Sequence, residues 1–183
     1  MTLDKILADL SNNEKPLANG RLTYLSALSK EEVRVLEETW RSIELPRRHE
    51  LVERLVDLAE DNAGLDFHAV FRLCLQDPEP AIQVMAIEGL WECEGRWLLV
   101  TLERLLACDQ TVEVRAAAAG ALGRFTLRAE LGKLRPEEKQ KLEDVLFTCI
   151  GNTQEPINVR RRAVEAVGHL SQERVTAVIE DAY

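Results

Sequence analysis

One stretch of this chain occurs three times. Asp77-Pro-Glu-Pro-Ala-Ile-Gln-Val-Met-Ala-Ile-Glu-Gly-Leu90 aligns without a gap on Asp109-Gln-Thr-Val-Glu-Val-Arg-Ala-Ala-Ala-Ala-Gly-Ala-Leu122, at an offset of 32 residues. Asp77 meets Asp109, Ile82 meets Val114, Gln83 meets Arg115, Ala86 meets Ala118 and Leu90 meets Leu122. A further 45 residues on, Val159, Arg160, Ala163 and Val167 take the places of Val114, Arg115, Ala118 and Leu122. Within each copy the apolar residues return at three- and four-residue steps, the period of a helix with one buried face. Internal similarity at such a spacing is the signature of stacked supersecondary units, none of which can bury its apolar face alone.

The rest of the chain reads as helix joined by short loops. Ile6, Leu7 and Leu10 belong to one short amphipathic stripe, and Ser11 to Gly20 is a polar breaker with Pro16. Ser29-Lys-Glu-Glu32 is a capping box that opens a helix ending near Ser42. Pro46 starts another, to about Asn62. Asp77-Pro78 reads as N-cap and first residue of a helix running to about 92. Further helices are expected over 96–107, from a cap at Asp109 or Thr111 into the 120s, from Pro136 to Gly151 at its C′ position, and from Pro156 to near Leu170. The expected organisation is an N-terminal helical extension over 1–28, then helix pairs at 29–62, 65–93, 96–131 and 135–170, with a partial repeat over 171–183.

A turn Asp, a hydrophobic residue and Arg five and six positions on, then Ala-x-x-Ala-Leu-Gly, resembles the HEAT repeat, in particular its phycobilin-lyase-type variety. Asp109 to Gly123 carries it most fully, Val159 to Gly168 well, and Asp77 to Leu90 with Gln83 in place of Arg. The resemblance covers 65–183 and, in outline, 29–62. It implies an all-α, right-handed α-α superhelix, a HEAT/armadillo-like solenoid of about four helix pairs plus a partial repeat. It also implies that turn Asp and second-helix Arg form a structural ladder between neighbouring repeats. The ladder residues are then Asp77, Asp109 and Arg115, with Arg160 beside Asn152 as a weaker rung.

Charge narrows the function. The chain of 183 residues has 23 Lys+Arg against 32 Asp+Glu, a formal net charge of −9. The acid excess concentrates in 61–110, where three bases face nine acids. Nucleic-acid affinity comes mainly from cations on phosphates, so this balance disfavours a nucleic-acid partner. The N-terminus has no signal-peptide pattern, and no apolar run approaches the roughly 20 residues that span a bilayer, so no membrane association is expected. Cys74, Cys93, Cys108 and Cys149 sit singly among apolar residues and read as buried free thiols of a cytoplasmic protein. No Cys/His spacing proposes a metal, and no motif proposes a cofactor.

No catalytic residues are proposed either. His49, His68 and His169 are far apart, and no phosphate loop or nucleophile elbow is present. By analogy with HEAT solenoids, second helices line a concave surface. The candidate binding residues there are Glu88, Trp91, Glu92, Arg124, Arg161, Glu165 and His169, with Trp91 where two other repeats have Gly123 and Gly168. The runs Arg47-Arg48 and Arg160-Arg161-Arg162 read as one ladder arginine plus solvated helix charges rather than as a phosphate contact. The last segment, Gln172–Ala182, reads as the first helix of a further repeat, so that the array continues or Tyr183 meets a partner. The expected function is a non-catalytic scaffold that binds a protein partner through the concave face. The alternatives that the resemblance brings are a lyase-type enzyme acting on a bound tetrapyrrole and a HEAT-like DNA-repair glycosylase.

Overall fold

The computed structural model describes residues 3–108, 111–171 and 175. Among them it is all-helical: α1 (Leu3–Leu10), α2 (Asn19–Leu22), a 3-10 turn (Thr23–Leu25), α3 (Lys30–Trp40), α4 (Leu45–Asp61), α5 (His68–Cys74), α6 (Pro80–Gly89), α7 (Arg96–Cys108), α8 (Val112–Glu130), α9 (Pro136–Gly151) and α10 (Ile157–Val167). The chain divides into two compact units, Met1–Glu92 and Cys93–Tyr183.

Four helices share one burial pattern. In α6, α8 and α10 the third residue is Ile82, Val114 or Val159, the seventh is Ala86, Ala118 or Ala163, and all are fully buried. Eleven residues in come Leu90, Leu122 and Val167, equally buried. Helix α4 follows the same register with Leu51 and Leu55. The second helix of pair 29–62 therefore shares the register of the others at its seventh and eleventh positions, where the sequence suggested a match only in outline. The departure is its third residue, Arg47, which is buried where the others are aliphatic.

Arg47 explains what the N-terminal segment does. Its Nε donates to the Leu10 carbonyl at 2.7 Å and its Nη2 to the Lys15 carbonyl at 2.8 Å, while Nη1 pairs with Glu50 at 3.1 Å. Two turns on, Arg54 donates to the Leu17 carbonyl at 3.0 Å. Ile6, Leu7, Leu10, Leu17, Leu22 and Leu25 are buried. Residues from Lys5 to Leu25 are thus folded onto the first pair, partly through the short α2, which begins at the end of the stretch expected to be breaker. Arg47 is not the solvated charge expected of it, because a guanidinium with two carbonyls and a carboxylate around it can be taken out of water.

Three helix ends differ from expectation. Helix α6 begins at Pro80 with Glu79 as its extended N-cap, not at Asp77-Pro78. A residue before proline is pushed out of the helical region, so Glu79 cannot be helical and Pro80 becomes the first residue able to start. Its other end is Gly89, so Trp91 and Glu92 lie in the following turn and not on the helix. At α9, Gly151 is the last helical residue and Asn152 the C-cap.

In the second unit α8 packs along α10 and against α7 and α9. Gly123 allows the close approach of α8 to α10: a Cβ there would lie 3.4 Å from the Ala166 Cα. The buried Thr126 hydroxyl lies 2.6 Å from the Ala166 carbonyl and 2.7 Å from that of Gly123, joining the two helices. In the first unit Gly89 has the same role more strictly. A Cβ there would sit 2.6 and 2.7 Å from Cε2 and Cε1 of the fully buried Phe71 ring, and closer still to Cζ. Overpacking a core of this kind costs about 1–3 kcal/mol. Gly89→Ala is therefore expected to lower Tm in a thermal melt despite its better helix propensity, and Gly89→Ala/Phe71→Leu to recover part of the loss. An unchanged Gly89→Ala melting curve would contradict this packing.

Candidate binding site

The turn acids and the fourth residues of the second helices meet in a regular way. Fourth positions hold Arg48 in α4, Gln83 in α6, Arg115 in α8 and Arg160 in α10. Arg48 reaches forward to Asp77, in the turn of the next pair, at 3.4 Å. Arg115 likewise reaches forward to Glu155, before α10, at 2.8 Å. Gln83 donates to the Asp77 backbone carbonyl at 2.7 Å, and Arg160 to the Ile150 carbonyl at 3.0 Å. The partner of Asp77 is therefore Arg48 of the preceding pair, and the acid facing Arg115 is Glu155, three residues beyond Asn152. Neither Arg48 nor Glu155 was singled out individually by sequence. The signal for Arg48 was its spacing from Leu51 and Leu55, hidden by the charged Arg47 in the aliphatic position. Asp109 lies outside the described residues.

Asp77 is the centre of a buried cluster. Its Oδ2 accepts the Trp40 indole N–H at 2.7 Å beside the Arg48 guanidinium, and its Oδ1 accepts the Glu79 amide N–H at 2.9 Å. The indole and amide donors engage one carboxylate oxygen each, with the Arg48 charge beside them, so Asp77 forms a turn ahead of α6 and leaves the cap position to Glu79. Cys74 is buried beside it, and burial followed by the Asp77 charge raises that thiol far above its ordinary range. Cys93 and Cys149 are also buried, while Cys108 is exposed at the end of α7, contrary to the expectation of four buried thiols. Burial, then Glu155, pushes Cys149 up to about 11.

The residues expected on the binding face are distributed over both units. In the first, Glu88 is exposed in the last turn of α6, and Trp91 (half exposed) and Glu92 stand in the turn after it. In the second, α10 presents Arg161 and Glu165 together at 3.6 Å, with Arg162 also on Glu165 at 2.9 Å and exposed His169 just past the helix end. Exposed Gly120 of α8 adjoins them: a Cβ there would meet Arg162 Cδ at 3.7 Å. Arg124 is placed differently. Its guanidinium lies 5.3 Å from the centroid of the Phe125 ring and is partly buried. Burial lowers its pKa, opposed by Cys93 and Glu94.

A concave feature lies in unit 93–183, at the helix ends. The start of α7, the end of α8 and the α8–α9 turn enclose a cleft of about 450 Å³ lined by Arg96, Arg128, Lys133, Arg135, Glu94 and Glu138 among others. Gly132, at φ +69°, turns the chain there. Glu138 receives Arg96 Nε at 2.7 Å and Arg135 Nη2 at 2.8 Å on one oxygen, and the Arg135 amide N–H at 3.1 Å on the other. The Arg135 hydrogen bonds hold its carboxyl down to about 2. Arg128 pairs with Glu94.

Among the described residues no group of three His, Cys, Asp or Glu is placed to hold a metal ion, and no helix is long and apolar enough to cross a membrane. No protein-family model matches the chain, and no curated protein matches its sequence significantly.

Removing one partner of a buried ion pair leaves the other charge uncompensated, at about 3–5 kcal/mol. Asp77→Ala, which strands both Trp40 and Arg48, is expected to lose an amount of this order in urea denaturation. Asp77→Asn keeps an acceptor for the indole and should lose less. Equal midpoints for Asp77→Ala and the wild type would refute the role given to this carboxylate.

Proposed function

We propose that this chain is a non-catalytic, protein-binding scaffold built of HEAT-like helix pairs. The observation that carries the reading is the common register of α4, α6, α8 and α10: buried third-position aliphatics in three of them, buried seventh and eleventh positions in all four, and forward rungs Arg48–Asp77 and Arg115–Glu155. Units repeated in this way bury themselves against their neighbours and leave a long semi-rigid surface for recognition. The exposed charges of α10, Arg161, Arg162 and Glu165, have the character of such a surface, with Gly120 giving close access beside them.

In this reading the pairs stack into a right-handed superhelix whose second helices line the concave side. A compact globule of this length has a radius of gyration near 16 Å. Small-angle X-ray scattering of a monomeric stacked array is expected to give a larger value and an asymmetric distance distribution. A value at or below the globular one would exclude the superhelix.

The binding role is tested by affinity capture with wild type and with the charge-reversed Arg161→Glu/Arg162→Glu variant, each first shown to be folded by circular dichroism. A protein retained by the wild type and lost by the variant supports the scaffold and places its face on α10. Retention that is unaffected by charge reversal there, or a turnover that copurifies with the chain and falls with that variant, counts against it.

A further inference from the structure

We propose that the cleft between the starts of α7 and α9 and the end of α8 binds a dianionic phosphate group. This inference stands apart from the helical-repeat reading, because the cleft lies at the helix ends and shares none of the residues expected on the concave face.

The charge of the cleft runs opposite to that of the chain. Arg96, Arg128, Lys133 and Arg135 line it, against Glu94 and Glu138, in a protein of net charge −9. The two carboxylates do not saturate the cations. One Glu138 oxygen is shared by Arg96 and Arg135, each through a single guanidinium nitrogen. Arg96 is 66% and Arg135 51% exposed, and the Arg135 Nη1 has only a long, exposed contact with Glu137 at 4.0 Å, open to exchange for a stronger acceptor. Lys133 is exposed with no ion-pair partner among the described residues. Arg128 gives Glu94 its Nη1 and keeps a buried Nε that makes no hydrogen bond. A buried donor without an acceptor is costly, and an oxyanion entering beside it relieves that cost. Guanidinium forks converging on a concave site are suited to a phosphate, which accepts from several donors at once.

The group recognised is compact. Glu130 and Glu137 flank the cleft residues in sequence and, like Glu94 of the cleft itself, are exposed, so a long polyanion would meet repulsion where a single phosphate does not. A volume of about 450 Å³ holds a phosphorylated side chain with its neighbouring backbone.

The test is titration of the intact chain with acetyl-Ala-phosphoserine-Ala-amide, its unphosphorylated counterpart, inorganic phosphate and a short DNA duplex, followed by calorimetry and amide chemical shifts. The phosphopeptide is expected to bind and to move the signals of residues 132–138, with no response to the unphosphorylated peptide. Arg96→Gln/Arg135→Gln should weaken binding by about tenfold or more, as expected for lost charge-assisted hydrogen bonds. Arg34→Gln, exposed in the first unit, should leave it unchanged. Arg96 and Arg135 are each half exposed or more, and Lys133→Glu provides a second variant that breaks no ion pair. Tighter binding of the phosphopeptide than of inorganic phosphate assigns the group to a protein chain, and equal binding assigns it to free phosphate. Absence of shifts at residues 132–138 with either phosphate, equal binding by the double variant and Lys133→Glu, or tighter binding of the duplex than of either phosphate overturns the proposal.

Discussion

Each second helix buries its third, seventh and eleventh residues, and this spacing decides much of the rest of the molecule. Three apolar positions at helical steps define one face, and that face needs another helix to cover it. With the third residue turned inward, the fourth comes to the rim of the packing, beside the turn of the following pair. A long polar side chain there can reach a turn acid or carbonyl without leaving the helix. Arg48 and Arg115 use that reach for carboxylates, and Arg160 uses it for the Ile150 carbonyl. The rungs thus follow from the packing register, and they tie loops to helices that the apolar contacts alone would leave loosely joined. Small residues serve the same register: Ala118, Gly123 and Ala163 let helices approach to backbone distance, and Gly89 leaves room for the Phe71 ring.

The first pair shows what happens where the pattern meets the beginning of the fold. An aliphatic third residue in α4 would offer only apolar contact to the N-terminal segment. Arg47 offers instead directional bonds to the Leu10 and Lys15 carbonyls, at places where the chain is leaving or lacks regular structure. Backbone carbonyls outside a helix need donors when they are buried, and a guanidinium supplies several from one side chain. The apolar residues of α1 and the following turns are buried against the first pair.

Net charge and local charge diverge in this protein. The acid excess of residues 61–110 describes the average field around the chain, which governs solubility and long-range attraction. It says little about a cleft a few ångströms across, where the order of helix ends sets which side chains converge. Arg96 starts α7, Arg128 lies near the end of α8 and Arg135 caps α9. Separated by 32 and 7 residues in sequence, they come to one cleft because α7, α8 and α9 pack together with their relevant ends on the same side.

The helical class, most helix positions and the apolar core were legible in the sequence, because they rest on local periodicity and on signals such as the Ser29 to Glu32 capping box, which forms as written. The repeat alignment likewise identified the positions that are buried in α6, α8 and α10. Helix ends were less legible where two local rules competed, as at Asp77-Pro78-Glu79-Pro80, where the second proline prevails and Asp77 is engaged by residues 37 and 29 positions away. The exposure of Cys108, the burial of Arg47, the choice of Glu155 as a partner for Arg115 and the basic cleft were decided only by tertiary structure. Periodicity reports which face of a helix is apolar, and it carries no information about which distant polar groups that face is brought against. Whether a charge is buried, paired or left open to a ligand depends on those groups, and so belongs to the packing of the chain and not to its order.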